Sequence, residues 1–140
     1  TVSENDIIFH LGDIAASIRD REDSLIDIFK KLNGEKHLIR GNHDHKSNSW
    51  YIENLNFKEV SDWVILGDIL LSHYPIRINE FSKKEEIDKI KMLEKIIEKN
   101  KIKHVIHGHV HQRTTDIPNH YNVSVEAIEY KPIEINSLIF

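Results

Sequence analysis

The sequence predicts an α/β fold. Short β-rich runs alternate with amphipathic stretches along the whole chain, and residues 83–100 carry a clear helical period. Four of the strand-like runs also stop abruptly at polar, metal-competent side chains, the behaviour of strands that deliver residues to a crevice at their carboxyl ends.

Taken in order, residues 7–11 read as a buried strand that stops at Gly12-Asp13. Residues 22–32 read as a helix with Leu25, Ile28, Phe29 and Leu32 on one face and Gly34 as its C-terminal stop. Residues 37–40 form a short strand ending at Gly41, and residues 46–55 a weak helix or turn region bearing Trp50 and Tyr51. Two β-rich runs, 58–66 and 69–72, are joined by Gly67-Asp68 and predict a hairpin. In the 83–100 helix Ile87, Ile90, Leu93 and Ile97 line one face, with Lys and Glu on the other as a solvated surface. Residues 103–107 return to strand and end at Gly108, and residues 121–125 and 131–135 predict two closing strands. With no repeat, linker or low-complexity tract, residues 1–140 are expected to form one domain.

Composition narrows the chemistry. Apolar residues at 39% and charged residues at 30% suit a globular domain. A net charge of −4 with no basic block gives no basis for strong nucleic-acid binding. The absence of cysteine excludes disulfides and thiolate metal sites and favours a cytoplasmic protein. No apolar run reaches membrane-spanning length.

The four strand ends lead to Gly12-Asp13, Gly41-Asn42-His43-Asp44, His73-Tyr74-Pro75 and Gly108-His109-Val110-His111. Any one of them has an ordinary explanation, since Gly, Asn and Asp are turn formers. Their joint placement is what points to a shared site. A mixed Asp, Asn and His donor set suits Mn, Fe, Zn, Ni or Co better than calcium. His10, His37, His45, His104 and His120 are expected to be structural or solvent-facing, and His107 to support the shell around His109.

The order Gly-Asp, Gly-Asn-His-Asp, His, Gly-His-x-His, running from Gly12 to His111, resembles the calcineurin-like metallophosphoesterase superfamily. The tail, with 122–126 and Tyr130-Lys131-Pro132, is similar to small bacterial and phage members. The resemblance implies a four-layer α/β/β/α sandwich of two mixed sheets flanked by helices. It implies two divalent transition-metal ions, manganese foremost, and a small phosphomonoester or phosphodiester substrate attacked by a metal-bridging hydroxide. Asp13 would bridge the ions, Asn42, His73 and His109 would complete one site, and His111 would serve the other. His43 would assist the leaving group, with Asp44 orienting it, and Arg77 is a candidate phosphate contact.

One family feature is missing. The superfamily opens with Asp-x-His on a first strand, and no Asp-x-His occurs in these residues. The expectation is an N-terminally incomplete domain whose first strand lies upstream of Thr1. Because that strand supplies two ligands to the second metal, the competing function is a non-catalytic protein-interaction scaffold on the same fold.

Overall fold

A computed structural model of the chain describes residues 1–15, 18–110 and 117–139. These fall into two compact units, Thr1–Asp62 and Trp63–Phe140, each with its own sheet.

The first unit runs β1 (Ile7–His10), α1 (Glu22–Lys30), β2 (Glu35–Ile39), α2 (Asn48–Leu55) and β3 (Phe57–Ser61). Its sheet has the order β1-β2-β3, and both pairings are parallel. Parallel neighbours require crossovers, which α1 and α2 supply. Ile18, Phe29, Leu38, Tyr51, Leu55 and Phe57 form the core. Helix α1 ends two residues before the predicted limit. Gly34 instead turns the chain into β2 at φ +97°, where an added Cβ would lie 2.8 Å from Ile8 Cδ1. Helix α2 begins at a Ser47 cap whose hydroxyl accepts the Trp50 N–H, and it ends at left-handed Asn56.

The second unit contains β4 (Trp63–Leu66), β5 (Ile69–Ser72), α3 (Lys84–Asn100), β6 (His104–His107), β7 (His120–Asn122) and α4 (Ile135–Ile139). Its sheet order is β4-β5-β6-β7, antiparallel in the first pair and parallel in the others. The hairpin at Gly67-Asp68 is as expected, with Leu66 facing Ile69 and Gly67 at φ +63°. Leu70, Leu93 and Val105 form the core here, with Trp63, Ile65 and Ile97 packed around them. Helix α3 presents Ile90 and Leu93 inward, as its period requires.

Two predicted strands are corrected. The single run 58–66 is two strands in different sheets, because Ser61 pairs with β2 whereas Trp63 pairs with β5. Residues 131–135 form no strand: Glu129 and Tyr130 both take positive φ, Pro132 has no N–H to give a ladder, and α4 starts at Ile135. The α/β class itself, two sheets with helices between their strands, is borne out. Among the described residues no helix is long and apolar enough to cross a membrane.

Candidate metal centre

In the first unit, β1 and β2 run parallel and release their loops at the same end of the sheet. The loop after β1 presents Asp13 and the loop after β2 presents Asn42, His43 and Asp44. Asp13 adopts left-handed φ +55°, a conformation that aspartate tolerates better than most residues. Its Oδ1 accepts the His43 N–H at 2.9 Å. Asp44 is buried and ties the two loops from the other side. Its Oδ2 accepts the N–H groups of Asp13 at 2.7 Å and Gly41 at 2.8 Å, and its Oδ1 accepts the Ile14 N–H at 3.1 Å. Gly41 must be glycine here, since a Cβ would fall 2.2 Å from Asp13 Oδ1 and 2.6 Å from Asp13 N. Both carboxylate oxygens of Asp44 thus serve backbone N–H groups. The His43 side chain is exposed, with its ring edge-on to His45 at 6.4 Å.

In the second unit, β5 ends at His73 and β6 leads through Gly108 to His109. The parallel pairing of β5 with β6 aligns these ends, and the Gly108 N–H donates to the His73 carbonyl at 3.0 Å. His73 Nε2 and His109 Nδ1 face one another at 3.1 Å. Two nitrogens bound to one ion at about 2.0–2.1 Å, roughly at right angles, would be about 3 Å apart. The pair therefore fits a borderline divalent cation. The ring of Tyr74 meets both imidazoles edge-on, at 4.9 Å from His73 and 4.7 Å from His109. The other nitrogen of His109, Nε2, lies 3.6 Å from Glu86 Oε1. A carboxylate on one ring nitrogen favours the proton there and leaves the other nitrogen as the donor atom.

Glu86 was missed by sequence reasoning, which assigned the charges of α3 to a solvated face. A signal was present: Glu86 lies four residues before Ile90 on the buried stripe that continues through Leu93 and Ile97. Its side chain is only 18% exposed, unlike a solvated glutamate.

His107, at the end of β6, is fully buried, and burial holds its imidazole down at about 4, so it is neutral at physiological pH. His120 is also lowered by burial, and its ring lies 6.1 Å from that of His107. Of the other histidines expected to be structural, His37 pairs with Glu35 at 3.0 Å, and His104 contacts the Tyr121 hydroxyl at 3.4 Å. Asn42 is half-buried in its turn, and Arg77 is exposed with its backbone N–H donating to the Pro75 carbonyl at 2.9 Å. His111 lies outside the described residues.

The family model for calcineurin-like phosphoesterases matches residues 2–113. The chain belongs to that family. Its members are metal-dependent phosphoester hydrolases. A crystal structure of a protein of unknown function from Aquifex aeolicus is similar, at 32% identity and a TM-score of 0.76, over 95% of this chain and 74% of that one. None of the curated proteins matches.

Proposed function

We propose that this calcineurin-like phosphoesterase hydrolyses a small phosphomonoester or phosphodiester with two divalent ions, manganese foremost. The observation that carries the reading is the His73–His109 pair, whose two nitrogens have the spacing of ligands on one cation. Asn42, His73 and His109 would hold one ion, Asp13 would bridge, and His111 would serve the second. When bound, such ions acidify a water and offset charge on the phosphoryl oxygens.

The chain's own residues do the rest. Asp13 offers a carboxylate already oriented by the His43 N–H, so little reorganisation accompanies binding. His43 is exposed, as a group meeting substrate must be, and a ring N–H there is suited to stabilise the leaving oxygen or give it a proton. Exposed Arg77 is suited to hold a non-reacting phosphate oxygen. The net charge of −4 favours a small ester over a nucleic-acid strand.

The test is hydrolysis of a chromogenic aryl phosphodiester and its monoester counterpart with added Mn²⁺, with bound metal measured in parallel. Metal-stimulated turnover of either ester supports the proposal. Tight metal binding without turnover of either, or no metal binding, would favour the scaffold instead. Within an active protein, His43→Ala should lower kcat by about 10²–10⁴-fold while bound metal stays unchanged. Parallel loss of metal and activity would remove His43 from the leaving-group role.

A further inference from the structure

Asp44 clasps the two loops of the first unit, and its own backbone is held on both sides: its N–H donates to the Gly41 carbonyl at 3.3 Å, and its carbonyl is held by Arg40. Arg40 is the last residue before the Gly41 turn, and its backbone N–H donates to the Ser61 carbonyl at 2.9 Å, anchoring its base to β3. From there the guanidinium reaches two acceptors. Nη2 donates to the Asp44 carbonyl at 2.5 Å, and Nη1 donates to Asn48 Oδ1 at 2.7 Å, at the start of α2. The guanidinium carbon lies 5.6 Å from the centre of the fully buried Tyr51 ring. Tyr51 is itself fixed by the core and accepts the Lys46 N–H on its hydroxyl at 3.3 Å.

The connections thus run in one direction. Helix α2 holds Arg40, Arg40 holds the Asp44 carbonyl, and the Asp44 carboxylate holds the backbone of Asp13 and Ile14. The His43 N–H then orients the Asp13 carboxylate. Without Arg40, the Asp44 carbonyl would lose its guanidinium donor and the turn would rest on the Asp44 N–H bond to the Gly41 carbonyl at 3.3 Å, loosening the brace on left-handed Asp13. An ammonium cannot replace the fork, because a single point charge does not span both acceptors in the geometry of a planar guanidinium.

We propose that Arg40 is a positioning residue for the metal centre, setting the Asp13 carboxylate through Asp44 without touching metal or substrate. The inference rests on the reading of Asp13 as a ligand. It is tested by titrating Mn²⁺ alone into the metal-free protein by calorimetry, and by hydrogen exchange at the amides of Asp13, Ile14 and Gly41 before metal is added. Arg40→Ala should weaken Mn²⁺ binding by about 10- to 100-fold, the effect typical of residues that orient a ligand. The same variant should speed exchange at the three amides while the far-ultraviolet dichroism is unchanged. Arg40→Lys should fall between Arg40→Ala and wild type in both measurements. Wild-type affinity and exchange in Arg40→Ala would overturn the proposal. Should Arg40→Ala fail to fold, Arg40→Lys decides, and wild-type behaviour there overturns it equally. A wild-type protein that binds no Mn²⁺ would instead refute the metal reading, while the exchange data would still report whether Arg40 braces the loop.

Discussion

The two units carry their candidate ligands in different ways. In the first, Asp13 is held by the main chain: its own N–H and that of Ile14 go to Asp44, and its carboxylate takes the His43 N–H. In the second, His73 and His109 are held by side chains, with Tyr74 edge-on to both rings and Glu86 beside His109. A main-chain clasp is shared between ligand placement and folding, so damage to it should cost stability and metal affinity together. A side-chain clasp can be altered with the backbone left in place, so damage there should appear chiefly in affinity.

Asp44→Ala tests the first half of that contrast most severely. It leaves three N–H donors without their acceptor in a buried place, at about 1–3 kcal/mol for each that water cannot reach. The expected loss is roughly 3–5 kcal/mol in urea unfolding, accompanied by loss of Mn²⁺ binding. A stability change below about 1 kcal/mol would show that water replaces the carboxylate readily, and the clasp would then be no part of the fold.

Gly41→Ala should come next. The added methyl overlaps Asp13 Oδ1 and N, and the backbone nitrogen cannot step aside without breaking its bond to Asp44. An overpacking cost of about 1–3 kcal/mol is expected, again with weakened Mn²⁺ binding. Full stability with weakened binding would place the effect on the Asp13 side chain alone and separate the two roles that the first unit is argued to combine.

These bonds mark where sequence reasoning stops. The glycines, the turn formers and the order of the motifs were legible, because each is a local requirement of a strand end that must present a side chain. The partner of Asp44 was not legible. Nothing local to the Gly-Asn-His-Asp segment reveals that the Asp44 carboxylate reaches backbone N–H groups 30 and 31 residues away. Arg40 and Glu86 were overlooked for the same reason: both act across elements. The split of 58–66 was hidden too, since continuous β propensity does not reveal a change of sheet between Ser61 and Trp63.

On the other side of the comparison, Glu86→Gln should leave unfolding nearly unchanged and weaken Mn²⁺ binding by about tenfold, or about 1.4 kcal/mol. The amide keeps the size of the carboxylate but removes the charge that favours a proton on His109 Nε2. A stability loss larger than the affinity loss would mean that the second unit shares the behaviour of the first.

The smallest effect concerns acid, and it is argued from two histidines of the second unit. His107 titrates near 4 when folded, because burial excludes its charge, against about 6.5 when unfolded. Between those values the unfolded chain binds a proton that the folded chain refuses, so stability is full above about pH 6.5 and falls as pH drops toward 4. From pH 7.5 to pH 6 the expected loss from this group is about 1 kcal/mol in metal-free protein. His120, lowered by burial in the same way, adds a loss of the same sign. His107→Gln cannot take up the proton, so its stability should decline less steeply over this interval whatever its absolute value, with the residual slope left to His120. An unchanged slope would remove His107 as the source and place the acid sensitivity elsewhere, with the main-chain clasp of the first unit the next region to examine.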